Sequence, residues 1–107
     1  MTGYVYMAER RWKAAGWVVR YLAREVHPLL GTRSELGRDL VGMVELGSLD
    51  LRLDSYDESE VADFTAAAAK VATSTRSSRP EQVLPEYYEG LCDRLADLNS
   101  MLQRPHP

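Results

Sequence analysis

The stretch Leu84–Leu102, LPEYYEGLCDRLADLNSML, carries leucine or tyrosine at positions 84, 88, 91, 95, 98 and 102. The separations are four, three, four, three and four residues, an alternation that lays one apolar ridge along an α-helix. Pro85 suits a first helical turn, where a missing N–H costs nothing. The helix is predicted to follow Pro80 or Pro85 and to run to about Gln103, with 104–107 a frayed tail. Beyond the proline the ridge is short for a free-standing coiled coil, so its first expected role is packing against other helices of the same chain. Tyr87 and Met101 widen the apolar surface past the ridge and are candidate self-association residues for a homodimer.

Upstream, Asp57 with Glu60 three residues later opens a predicted third helix, whose inner face takes Val61, Phe64, Ala68, Val71 and Ala72. Thr73–Arg79 holds only Ser, Thr and Arg and reads as a loop. In Leu49-Asp-Leu51-Arg-Leu53-Asp apolar and charged residues alternate, which predicts a strand over 48–54 with the leucines inward, paired with the strand-favouring Tyr4–Met7. Thr32-Arg-Ser-Glu35 has the form of a capping box. The helix it starts would bury Leu36, Leu40, Met43 and Val44, end near Leu46 and stop at Gly47. Gly37 and Gly42 within it suggest close approach of a neighbouring helix.

A first helix is predicted from Ala8 to Val26, since Trp12, Ala15, Val19, Leu22, Ala23 and Val26 recur at spacings of three and four. His27-Pro28 would end it, leaving Leu29 and Leu30 as buried anchors of a connection. The expected fold class is mainly α: a bundle of about four helices with at most a short two-stranded β element, forming one domain over 1–107.

Composition agrees with a globular chain, at 45% hydrophobic and 27% charged residues. The longest apolar run near the N-terminus, Ala14–Val19, is far below the roughly 20 residues of a membrane span. With the lone thiol of Cys92 this predicts a cytoplasmic protein without membrane attachment. Eleven arginines against two lysines point to a GC-rich bacterial genome. The net charge of −3 is unevenly divided, with +4 over residues 1–38 and −7 over 39–107. Such halves attract each other, another copy, or partners of opposite sign.

Little here suggests catalysis. Cys92 adjoins the ridge of the last helix, where a cysteine acts as a small hydrophobe, and the two histidines stand at a helix end (His27) and in the tail (His106). The acids Asp54, Asp57, Glu58, Glu60 and Asp63 lack calcium-loop spacing and suit a helix N-terminus. No cofactor or metal site is expected. The first helix is more informative: Arg10, Lys13, Arg20 and Arg24 fall on one stripe opposite its apolar face, with Trp17 and Tyr21 among them. Bases interleaved with aromatics suit a binding surface, and these six are the candidate partner-binding residues. The expected function is therefore a non-enzymatic protein-interaction module, binding another protein or itself. An adaptor, or an immunity- or antitoxin-like protein covering a basic enzyme with its acidic half, would fit. Nucleic-acid regulation through the first helix is the alternative, weakened by a pI of 5.3.

Overall fold

A computed structural model describes residues 2–31, 33–47 and 50–103. The chain begins with a hairpin: β1 (Thr2–Met7) and β2 (Arg10–Ala15) pair antiparallel with Val5 opposite Trp12. β3 (Asp50–Arg52) lies parallel against the other edge of β1, Val5 opposite Leu51, so the order is β2-β1-β3. Four helices follow from the remaining periodicity: α1 (Gly16–Leu30), α2 (Glu35–Leu46), α3 (Glu58–Ser77) and α4 (Pro85–Gln103). The plan is mainly helical with four helices, as predicted, and the β element has one strand more than expected.

That strand replaces the start of the predicted first helix. Over 10–15 the burial alternates, with Trp12 and Ala14 inside and Arg11, Lys13 and Ala15 outside. The step from Trp12 to Ala15 fits a helical turn, but Trp12 and Ala14 also satisfy the period of a strand. Once Tyr4–Met7 extends, its apolar face needs a neighbour, and the two-residue turn at Ala8 and Glu9 returns the chain beside it. The helix proper starts at Gly16, and it runs through Pro28 to Leu30. Pro28 sits in the last turn, and its missing N–H and its ring act on the carbonyl of Arg24, one turn back. Leu29 is exposed rather than an anchor, whereas Leu30 packs against the core.

α2 is capped by Ser34, whose hydroxyl accepts from the N–H of Gly37 at 3.0 Å. Thr32 lies outside the described residues, and Glu35 is the first helical residue rather than the reciprocal partner. A different carboxylate does that work: Glu60 of α3 accepts from the Leu36 N–H at 3.1 Å and from the Ser34 hydroxyl at 3.2 Å. Gly47 ends the helix at φ 72°, its N–H reaching the carbonyls of Met43 and Val44. A side chain at Gly37 would touch Leu30 of α1, but Gly42 faces no close neighbour, so only the first of the two glycines marks a helix contact.

The predicted strand at 48–54 is shorter, with Leu51 and Leu53 buried and Asp50 and Arg52 exposed. Leu49 is outside the described residues. α3 continues through most of the expected loop at Thr73–Arg79. Its hydroxyls do not compete with the helix, because Ser74 donates to the Val71 carbonyl and Ser77 to that of Thr73. Thr75 is 1% exposed, and its hydroxyl meets the Tyr21 hydroxyl at 2.7 Å. The Tyr88 hydroxyl donates to the carbonyls of Thr75 and Arg76 at 2.7 and 2.8 Å, so this one turn binds α1, α3 and α4 together.

The core lies where the helices meet the inner face of the sheet. Leu91, Leu95, Leu98 and Leu102 of α4 share one buried cluster with Phe64, Ala68 and Val71 of α3, the valines of α1 and the strand residues Val5, Trp12 and Leu51. Leu84, the first residue of the sequence ridge, is exposed, because the helix starts after it.

Candidate functional site

The six partner-binding candidates separate onto two elements. Trp17, Arg20, Tyr21 and Arg24 belong to α1, whereas Arg10 and Lys13 belong to β2. Neighbouring residues of a strand face opposite ways. Arg10 shares the inner side with Trp12, and its guanidinium donates to the Met101 carbonyl at 2.9 Å. Lys13 faces out on the other side of the sheet. The continuous stripe of four bases is therefore absent, since it needed residues 8–15 to be helical. Tyr21 is buried, its hydroxyl held by Thr75, and cannot offer its ring to a partner.

What remains on α1 is drawn together with α4 in a way the sequence did not reveal. Trp17, in the first turn of α1, is 38% exposed, and its ring lies 6.1 Å from that of Tyr87, planes tilted by 59°. Tyr87, in the first turn of α4, is 55% exposed, and Leu84 just before that helix is also exposed. Arg20 and Arg24 continue along α1 from Trp17, where an open cleft is lined by Trp17, Arg20, Tyr21, Arg24, Glu25 and Gln82. Two candidates from separate predictions, Trp17 and Tyr87, thus form one aromatic contact at the surface. Met101 does not join them: it is buried, between α4 and the hairpin.

A second surface was missed altogether. Cross-strand partners share a face of a sheet, so the pairing of Tyr4 with Lys13 and Asp50, and of Tyr6 with Arg11 and Arg52, sets six side chains side by side. Among the described residues no helix covers this outer face, where Arg11, Lys13, Asp50 and Arg52 are exposed and the tyrosines half-buried. The Tyr4 and Tyr6 rings stack at 5.9 Å and 25°. The Arg11 guanidinium lies 5.3 Å from the Tyr4 ring centre and that of Arg52 4.6 Å from the Tyr6 ring centre. The alternation at Tyr4 and Tyr6, repeated at Arg11 and Lys13, was the available signal. A helix over 8–15 would scatter these side chains and leave no such face.

Several titratable groups elsewhere hold the fold together. Asp54 accepts the Ala8 N–H on both carboxylate oxygens, at 3.0 and 2.9 Å, and Glu60 caps α2. Burial pushes the Tyr21 hydroxyl above its ordinary pKa, against the opposing effect of its bond to Thr75. Burial raises that of Tyr56 further, helped by its 2.5 Å hydrogen bond to Asp39. Cys92 is buried on α4, and His27 is exposed near the end of α1. Among the described residues no three His, Cys, Asp or Glu side chains cluster as metal ligands, and no helix is long and apolar enough to cross a membrane. Comparison with models of protein families, with curated proteins and with solved structures finds no match to this chain in any of the three.

Proposed function

We propose that this chain is a non-enzymatic protein-interaction module that meets its partner through the Trp17–Tyr87 patch. The observation that carries the reading is the exposed contact between these two rings, flanked on α1 by Arg20 and Arg24. Tryptophan, tyrosine and arginine are the residues that dominate binding energy at protein interfaces, because each covers much apolar area while keeping a polar handle. The rings form the anchor, and the two arginines select a partner with carboxylates beside an apolar pocket. A regulatory nucleic-acid role for α1 has less support, since Arg10 and Lys13 are not on this helix and Glu25 stands beside the remaining bases.

Capture from the lysate of the source cells, followed by titration with the purified partner, tests the proposal. Wild-type protein should retain one partner with an acidic contact surface. Trp17→Ala, and separately Arg20→Glu with Arg24→Glu, should lose it while melting within about 1 kcal/mol of wild type. Equal retention by wild type and both variants would remove this surface as the site.

A further inference from the structure

We propose that the outer face of the sheet binds single-stranded nucleic acid. The face is built by register: Tyr4 and Tyr6 on the central strand, Arg11 and Lys13 on one neighbour, Asp50 and Arg52 on the other. Three bases against one acid make it locally positive on a chain whose net charge is −3. A polyanion is drawn to such a face and repelled by the acidic remainder, so charge gives both affinity and orientation.

The tyrosines identify which polyanion. Their rings stack on one another in the middle of the charged face, centroids 5.9 Å apart and planes at 25°. Bases stack on such rings whatever their identity, with the phosphates reaching cations at the edge. The guanidinium carbons of Arg11 and Arg52 lie 5.3 and 4.6 Å from the centres of the two rings, and both cations carry N–H donors suited to phosphate oxygens. A guanidinium plane is itself a stacking surface for an unpaired base. A duplex keeps its bases stacked inside and offers these rings and guanidinium groups no free base, so a single strand is the fitting occupant. An acidic peptide would use the three bases and leave the rings idle. This face is separate from the Trp17–Tyr87 patch, which lies on α1 and α4.

Fluorescence anisotropy with labelled 12-residue oligothymidylate and oligouridylate tests it on the full chain. The expected result is saturable binding that weakens with salt, log K falling with log salt at a slope near about −2 for three cations on a single strand. Replacing both Tyr4 and Tyr6 by leucine should weaken binding about tenfold or more, and Tyr4→Phe with Tyr6→Phe should keep it. Arg11→Ala, Lys13→Ala and Arg52→Ala together should abolish it. Circular dichroism verifies that each variant folds, and the alanine triple carries the test if the leucine pair does not. Absence of wild-type binding at 100 micromolar protein, on the order of the weakest non-specific nucleic-acid affinities, overturns the proposal. So does equal competition by a 12-residue oligoglutamate, which would assign the face to acidic protein. Loss of binding in Trp17→Ala with retention in the alanine triple would also overturn it, moving the site to α1.

Discussion

Ala8 turns the hairpin with φ at 55°, the only non-glycine among the described residues with a positive φ. The left-handed region crowds a Cβ against the following carbonyl, which costs about 1–2 kcal/mol for an L-residue. The bond from its N–H to Asp54 stabilises the turn in place and ties the hairpin to the segment after β3. Ala8→Gly removes the steric cost and gives back part of the gain as unfolded-chain entropy. The expected net effect is a stabilisation of about 0.5–1 kcal/mol in urea unfolding, and a destabilised variant would show that the turn carries no strain. Tyr56 makes stability depend on pH. Burial and the neighbouring Asp39 raise its pKa above 10 in the folded state, so the fold holds its proton more tightly than the unfolded chain does. That stability is fully present below pH 10 and is lost as pH rises through the folded pKa. Alkali should therefore erode stability above pH 10, and Tyr56→Phe should flatten this loss. An unchanged alkaline limb in Tyr56→Phe would mean that the hydroxyl is not held as described.

The elements differ in how far the chain announces them. α4 was legible because its ridge is buried along one side and its period has no competitor, and Gly47 marked the end of α2 because a left-handed stop needs that residue. At 10–15 the helix and strand periods coincide, and only pairing with β1 decides between them. At Thr73–Ser77 the composition suggested a loop, yet Thr75 is fixed by Tyr21 from α1, a contact no local pattern encodes. The cap of α2 is the same kind of case, since Glu60 performs from another helix the task assigned to Glu35. This gives a discriminating pair of variants. Glu60→Ala should cost about 1–2 kcal/mol by leaving the Leu36 N–H and the Ser34 hydroxyl without their shared acceptor. Faster amide exchange should then be confined to the start of α2. Glu35→Ala should change stability by less than about 0.5 kcal/mol. Equal losses in the two would restore the local capping box.

At the scale of the whole molecule, hydrogen bonds to backbone carbonyls join the N-terminal hairpin to α4. The Trp12 indole donates to the Arg94 carbonyl at 2.9 Å, Arg10 to that of Met101, and Arg94 to that of Lys13 at 3.3 Å. The ion pairs among the described residues, Arg76 with Asp93 and Arg94 with Asp97, both lie within the acidic half and are well exposed. The candidate site was half legible for the same reason: Trp17 and Tyr87 each stood out as aromatics on a polar background, but their meeting depends on how α1 and α4 pack. Met101 and Tyr87, equivalent as sequence candidates, are separated by that packing, and glutamate substitutions should tell them apart. Met101→Glu puts a carboxylate where Arg10 and the hairpin close over α4. Taking a carboxylate out of water costs several kcal/mol, which a neighbouring Arg10 already bonded to the residue 101 carbonyl repays only in part, so the expected loss is about 2–4 kcal/mol with a lower melting temperature. Tyr87→Glu replaces a half-exposed ring, and its melting should stay within about 1 kcal/mol of wild type. If copies of the chain associate, they do so through the exposed ring, so Tyr87→Glu should reduce the mass seen by light scattering at high protein concentration. Met101→Glu should instead reduce the folded fraction. A Met101→Glu variant that melts like wild type would place Met101 back on the surface and reopen it as a contact between copies.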